Sequence, residues 1–157
     1  MPSAWRLDYR FRWGLYAAVA VLFVTGAAWL ITDPLKDSAG GEFWQAVSAD
    51  LLMIHGGATM VTLVLLGALI PVHVFRAWRG GQNRLMGIVV ATANVLLVVT
   101  AFGLYYAGSD TLRPWISDLH SAIGLVLPAL LVIHIVTGRR RVNALRNGYP
   151  RKRRYDA

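Results

Sequence analysis

The chain contains no cysteine and few charged residues, and both absences restrict what it can do. Without cysteine there are no disulfides, thiolate zinc sites or iron–sulfur clusters, and no Cys-x-x-Cys-His motif for covalent haem. Charged residues make up only 15% of the 157 residues, against about 25% in soluble domains. Because 56% of the residues are hydrophobic, the composition excludes a soluble enzyme and a disordered tail. It also excludes a free nucleic-acid-binding module, despite a pI near 10.6.

The charges are clustered, which leaves four long uncharged stretches at residues 13–32, 51–75, 85–109 and 119–138. A hydrocarbon core about 30 Å thick needs roughly 20 residues of α-helix to cross it. Backbone groups in lipid must also be satisfied within the segment, which an α-helix achieves. The sequence therefore predicts an all-α integral membrane protein, a bundle of four spanning helices.

Polar residues near the ends of the stretches predict where two helices begin, since their side chains accept hydrogen bonds from free backbone N–H groups. The candidate N-caps are Asp50 for the second span and Ser117 or Asp118 for the fourth. Residues 33–49 would then be the longest connection, and Phe43 and Trp44 indicate that part of it lies on the membrane surface. No internal repeat is evident along the chain.

Basic residues concentrate at both ends of the chain and in its middle connection. All but two of the 16 lysines and arginines lie before residue 13, between residues 76 and 84, or after residue 138. The other two connections hold most of the acids, namely Asp33, Asp37, Glu42, Asp50, Asp110 and Asp118. Because cytoplasmic loops are rich in Lys and Arg, we predict cytoplasmic termini and two outward-facing acidic connections, in a bacterial inner membrane.

All four histidines lie in the second and fourth spans, which run in the same direction in this topology. We name His55 and His120 the outer pair, and His73 and His134 the inner pair. His55 and His73 are about five helical turns apart and His120 and His134 about four, so each helix presents both histidines on one face. The two levels are separated by roughly 27 Å on one helix and 21 Å on the other.

This arrangement restricts the metal chemistry of the histidines. The levels are too far apart to share one metal, and the spans contain no acid for a di-iron carboxylate centre or a proton relay. Facing imidazoles at two levels fit two haems, each with histidine on both axial positions. Gly124, one turn after His120, leaves room for a flat and bulky group, and Gly56 and Gly57 directly follow His55. One haem with two unrelated histidines, or interhelical hydrogen bonds without haem, remain alternatives.

The histidine pattern, above all the run from Asp118-Leu119-His120 to Ile133-His134-Ile135, resembles the bacterial di-haem membrane cytochrome b superfamily. That group includes cytochrome b561-type proteins and the b-type membrane subunits of formate dehydrogenases, hydrogenases and thiosulfate reductases. The resemblance covers residues 11–141 and implies that His120 binds an outer haem and His134 an inner one. In the formate dehydrogenase type, one inner ligand comes from the first span. That span has no histidine here, so His73 would take its place.

The resemblance also implies a quinone site and partners for the haem propionates. The arginines within two turns of the inner histidines are suited to carboxylates, and they serve equally well as topology signals; they are Arg76, Arg79 and Arg139. Candidate groups near a quinone are Asp8, Tyr9 and Arg10 on the inner side, and Asp50 and Asp118 on the outer side. None of these is preferred over the others.

These expectations combine into one functional prediction. A four-span di-haem cytochrome b domain at residues 1–141 precedes a basic cytoplasmic tail at 142–157. The chain would be a membrane subunit that carries electrons between quinone and a periplasmic redox subunit. That partner would hold iron–sulfur clusters, c-type haems or molybdopterin. The rival predictions are a stand-alone transmembrane reductase and a haem-free membrane anchor.

Overall fold

The computed structural model describes residues 8–80 and 83–148, and these ranges fold into helices without a strand. The helices are α1 (Tyr9–Thr32), α2 (Gly41–Leu69), α3 (Phe75–Arg79), α4 (Arg84–Tyr106) and α5 (Leu112–Gly148). A short 3-10 helix, Asp33–Asp37, follows α1, and a π-helical turn, Ile70–Val74, joins α2 to α3. The predicted all-α class is therefore confirmed.

Four of the helical segments are long and apolar enough to cross a membrane: Tyr9–Asp37, Gly41–Leu69, Arg84–Tyr106 and Leu112–Arg141. They are 23 to 30 residues long, and about 20 suffice to cross a bilayer. Large apolar side chains are exposed along all four, which is the surface that lipid would cover. The chain has the features of a multi-pass membrane protein with four spans.

Helix α2 begins well before the predicted start of the second span. Gly40 precedes it in the left-handed region at φ 93°, and the helix runs on from Gly41. Asp50 therefore lies inside α2, and its prediction as an N-cap is wrong. Phe43 and Trp44 belong to the first turns of the same helix, and their position on the membrane surface stays a prediction. Apolar patterning marks where lipid begins, whereas a helix continues into water as long as its backbone bonds are made.

Helix α5 shows the same difference. It begins at Leu112, so Ser117 and Asp118 lie inside it, and their prediction as N-caps is also wrong. The helix continues through Pro128 and past residue 141 to Gly148. Residues 149–157 of the predicted basic tail lie outside the described part of the chain, and the boundary at residue 141 stays a prediction.

The helices pair as two antiparallel hairpins, α1 with α2 and α4 with α5, and α1 also contacts α5. Thr25 of α1 meets His55 of α2, and Thr32, seven residues later, meets Ser48, seven residues earlier. This register shows that α1 and α2 run in opposite directions. The backbones of α2 and α5 are not among the closely packed pairs in the described part of the chain. The backbones of these two helices are therefore further apart than those within each hairpin.

The two hairpins repeat one arrangement, which the sequence does not reveal. In the first hairpin Thr25 contacts His55, and in the second Thr100 contacts His120. A buried alanine precedes each threonine by seven residues, and a buried residue follows each histidine by seven; these are Ala18, Ala93, Thr62 and Leu127. The repeat is hidden because the threonine and histidine are 30 residues apart in one hairpin and 20 in the other.

Candidate functional site

The four histidines meet as two pairs between α2 and α5. The ring centres of His55 and His120 are 6.3 Å apart, with the ring planes inclined at 69°. Those of His73 and His134 are 6.2 Å apart, inclined at 81°. All four side chains are half-buried. The structure thus brings together, level by level, the residues that helical periodicity places on one face of each helix.

The spacing within each pair matches two imidazoles on opposite sides of one metal ion. A metal–imidazole nitrogen bond is about 2 Å long and the ring centre lies about 1 Å behind that nitrogen, so the two ring centres would be about 6 Å apart. A direct hydrogen bond between the rings would place the nitrogens about 3 Å apart and the ring centres about 5 Å apart. The observed distances between ring centres, 6.3 Å and 6.2 Å, are closer to the first value than to the second.

A threonine from the neighbouring helix contacts each ring of the outer pair. Thr25 Oγ1 on α1 lies 2.9 Å from His55 Nδ1, and Thr100 Oγ1 on α4 lies 2.8 Å from His120 Nδ1. Both threonines are buried, at 7% and 6% exposed. Because Nδ1 is occupied by threonine in both rings, Nε2 is the nitrogen left to bind a ligand between them.

One assignment of the protons satisfies every bond that each threonine makes. Thr25 Oγ1 donates its single proton to Val21 O at 2.6 Å, and Thr100 Oγ1 donates to Leu96 O at 2.7 Å. Each hydroxyl oxygen then acts as an acceptor, and the imidazole Nδ1–H donates to it. In a neutral imidazole this tautomer leaves the lone pair on Nε2, which is the form that binds a metal.

The inner pair involves the π-helical turn Ile70–Val74, which contains His73. Pro71 within it has no N–H to donate to the helix, and the turn closes with an i to i+5 backbone bond. Such a turn holds more residues than an α-helical turn, so the chain advances less per residue. This shortens the longer of the two histidine spacings, and His73 meets His134 despite a difference of about one turn in the sequence.

The inner rings are held differently from the outer rings. Nδ1 of His134 is buried and has no hydrogen-bond partner among the described residues. Asn83 donates to Thr137 Oγ1 at 3.0 Å and to the backbone oxygen of His134 at 3.3 Å. These bonds join the start of α4 to the backbone beside His134 and leave its ring free. The outer level has a hydroxyl on each imidazole, and the described contacts of the inner level provide none.

Glycines next to the histidines differ in the space around them. A Cβ atom added at Gly124, one turn after His120, would meet only Leu97 Cδ2 at 3.9 Å, an ordinary contact. A Cβ atom at Gly26 would lie 3.3 Å from Cε1 of His55. Gly26 therefore lets α1 approach the ring closely, whereas a Cβ atom at Gly124 would make only an ordinary contact. The flat ligand expected beside Gly124 stays a prediction.

The three arginines predicted to bind propionates lie near the inner pair along the chain. Arg76 and Arg79 are on α3, directly after the π-helical turn, and Arg139 is on α5. All three side chains are exposed. Their role as propionate partners stays a prediction.

Two buried donors on α1 were missed by the sequence analysis. Nε of Arg12 and Nε1 of Trp29 are buried without a hydrogen-bond partner among the described residues. Thr25 marks the level of the outer pair on α1, so Trp29 lies one turn beyond that level. Arg12 lies about 20 Å along the helix in the other direction, at the level of the inner pair. From the hydropathy pattern of the sequence, both residues are expected only as residues of a membrane interface.

The candidate quinone groups lie at the two ends of the bundle. At the inner end, Asp8 accepts a bond from the backbone N of Arg10 at 3.0 Å, and Arg10 Nε donates to the Tyr9 hydroxyl at 3.1 Å. Asp50 and Asp118 are exposed near the start of α2 and α5. Nothing in this geometry distinguishes one of the five from the others, so the quinone site stays a prediction.

The outer threonines do leave a trace in the sequence. Leu-x-Val-Thr occurs at residues 22–25 and again at 97–100, in two spans without histidine.

No protein-family model matches the chain, and no curated protein and no solved structure matches it either. Its function must therefore be argued from its own geometry.

Proposed function

We propose that the chain is a di-haem b-type cytochrome, the membrane subunit of an oxidoreductase complex, which carries electrons between the quinone pool and a periplasmic redox subunit. The observation that supports this most strongly is the spacing of the histidine rings, with centres 6.3 Å and 6.2 Å apart at two levels of a four-helix bundle. The histidine pattern also resembles the di-haem cytochrome b superfamily, in which this function is known.

The donor set at each level fits a haem. Each level offers two imidazoles, and a haem is a group that two imidazole ligands would hold. When bound, such a haem would supply one-electron transfer. His55 and His120 would hold the outer haem through Nε2, and His73 and His134 would hold the inner one.

The unpaired donors on α1 fit the carboxylates that a haem carries. A guanidinium and an indole N–H can only donate hydrogen bonds, so burial of Arg12 Nε and Trp29 Nε1 without acceptors is unfavourable. Propionate oxygens at the inner and outer levels would satisfy them. At the inner end, the exposed Arg76, Arg79 and Arg139 add positive charge that favours the same carboxylates.

The connections between helices support the role of a subunit rather than that of a complete enzyme. Only residues 33–40 and 107–111 separate the long helices at the outer end, which leaves no catalytic domain there. The acids in and beside these connections favour an outward orientation, since the basic residues lie at the other end. A periplasmic partner would then dock over the outer pair, and the membrane would be the inner membrane of a bacterium.

A pyridine haemochrome assay on the purified full-length chain tests this function. We expect two b haems per chain in the wild type and one in each of the His120→Ala and His134→Ala variants. Each substitution leaves a single imidazole at its level, and the histidines of the other level are roughly 20 Å away and cannot replace the lost ligand. Asn94→Ala is the matched control. This side chain also lies in a span, but it donates only to Val90 O of its own helix. It should retain both haems.

Other outcomes of the assay would reject the proposal. A wild-type chain without haem would leave only the membrane anchor. Two haems with unchanged spectra in both histidine variants would show that the ligands are assigned wrongly. Quinol-independent reduction of superoxide or metal ions by the chain alone, without any partner, would identify the stand-alone reductase.

A second measurement tests the carboxylate partner. Arg12→Gln should weaken the inner haem by roughly 10-fold to 150-fold, because a charge-assisted hydrogen bond contributes roughly 1.5–3 kcal/mol. Arg10→Gln is the control, since its exposed side chain bonds to the Tyr9 hydroxyl instead. Haem retention after titration with a haem-binding competitor measures the difference. Equal retention in the two variants would remove Arg12 from the site.

A further inference from the structure

We infer that Thr25 and Thr100 are positioning residues that make His55 and His120 stronger metal ligands, so that the outer haem binds more tightly and has a lower reduction potential than the bare imidazoles would give. This inference rests on the proposed function. It adds a defined chemical difference between the two levels and assigns it to two residues on helices that carry no histidine.

The geometry is the same in both hairpins. His55 Nδ1 and His120 Nδ1 lie 2.9 Å and 2.8 Å from the hydroxyl oxygens of Thr25 and Thr100. Each hydroxyl also bonds a carbonyl four residues earlier in its own helix, which orients its oxygen and occupies its proton. Both threonines are buried, so water does not compete for the contact. Two independent helices thus supply the same hydroxyl to the same ring atom. A backbone carbonyl one turn before each threonine, at Leu22 and at Leu97, also bonds the ring.

The consequence for the ligand follows from second-shell chemistry. An Nδ1–H that donates to an acceptor fixes the tautomer and ring orientation and raises the basicity of Nε2. A more basic imidazole stabilises the ferric form of a haem more than the ferrous form, because the ferric form carries more charge. Loss of such a partner typically lowers metal affinity by about 10-fold to 100-fold. Each tenfold loss that is specific to the ferric form raises a one-electron potential by about 59 mV.

The inner level provides the contrast. Nδ1 of His134 is buried and has no acceptor among the described residues, and Asn83 bonds only the backbone beside it. Replacing the two threonines should therefore change one haem and leave the other unaltered. A general loosening of the bundle would instead change both haems together.

The first experiment uses the full-length chain without haem, in lipid nanodiscs. Nitrogen-15 NMR of the histidine side chains distinguishes the two neutral tautomers directly. We expect His55 and His120 to carry the proton on Nδ1, and we expect that preference to weaken for His55 in Thr25→Val and for His120 in Thr100→Val. A proton on Nε2 in the wild type, or tautomers that do not respond to either substitution, would overturn the inference whether or not the chain binds haem.

The second experiment uses the haem-loaded chain and measures both potentials by redox titration with optical detection. We expect Thr25→Val and Thr100→Val each to raise the reduction potential of the outer haem and to lower its affinity by 10-fold to 100-fold. The inner haem should be unchanged in both variants. Thr25→Ser keeps the hydroxyl and should restore the wild-type values. Thr59→Val is the matched control, because Thr59 donates to the backbone oxygen of His55 and not to its ring.

The outcomes separate this inference from the proposed function. If the chain binds two haems and neither valine substitution changes their potentials or affinities, the role of the threonines is overturned. The proposed cytochrome function is unaffected by that result. A chain that binds no haem but shows the Nδ1 tautomers and their loss in the valine variants would overturn the cytochrome, while the positioning of the imidazoles by threonine would stand.

Discussion

Replacement of Gly124 by leucine separates the fold of the bundle from its capacity to bind a flat ligand. A Cβ atom at this position meets only Leu97 Cδ2, at 3.9 Å, so the start of a side chain fits there without a clash. Leucine also has a higher helix propensity than glycine, by about 0.8 kcal/mol. We therefore expect the Gly124→Leu variant to fold at least as well as the wild type.

The same substitution should weaken the outer haem. The added side chain would enter the space one turn from His120, where the proposed ligand lies, and overpacking of this kind typically costs about 1–3 kcal/mol. Since 1.4 kcal/mol corresponds to a factor of ten, the affinity of the outer haem should fall by roughly 5-fold to 150-fold. The inner haem, which His134 would hold about 15 Å further along α5, should not change.

Thermal unfolding in detergent and haem titration of the same preparations measure the two effects. The matched control is Gly57→Leu on α2. A Cβ atom there meets nothing within 4 Å, and the residue lies about 200° around the helix from His55. The control should keep both haems. If Gly124→Leu bound two haems with wild-type affinity, no ligand would occupy the space beside Gly124, and the site would have to be placed elsewhere.

Three further predictions test other parts of the structure. Gly26→Val should displace the His55 ring, because even a Cβ atom would lie 3.3 Å from it, and difference spectra should show a change in one haem that Gly14→Val, in open space, does not cause. Asn83→Ala should lower stability by about 2 kcal/mol through lost hydrogen bonds and a left-handed backbone without its usual residue; an unchanged melting temperature would contradict this. Asp37→Cys, in a chain without cysteine, should react with a membrane-impermeant maleimide in spheroplasts with intact membranes. Reaction only after permeabilisation would reverse the predicted topology.

Local patterning predicted the helical class, the number of spans and the helix faces that carry the histidines. These properties depend on the hydropathy of about 20 consecutive residues and on a fixed rotation per residue. They can therefore be predicted from a local stretch of the sequence. The helix starts were predicted less well. Asp50 and Asp118 are polar, yet they lie inside helices that extend beyond the apolar segment.

The contacts between helices could not be read from the sequence. The meeting of Thr25 with His55 and of Thr100 with His120 depends on how each hairpin folds back, and the two connections differ in length. The π-helical turn at Ile70–Val74 also removes a mismatch in histidine spacing that sequence arithmetic leaves unresolved. The burial of Arg12 and Trp29 is a further property of packing, since an interfacial charge and a buried one have the same sequence signal.

The amino-acid sequence alone thus determined that four histidines lie on two membrane helices at two depths. Hydropathy and the rotation per residue of a helix depend only on residues that are close in sequence. Only the tertiary structure decided that the rings approach to 6.3 Å and 6.2 Å and that hydroxyls hold the outer two. Those distances depend on the register between helices that are remote in sequence, and packing sets that register.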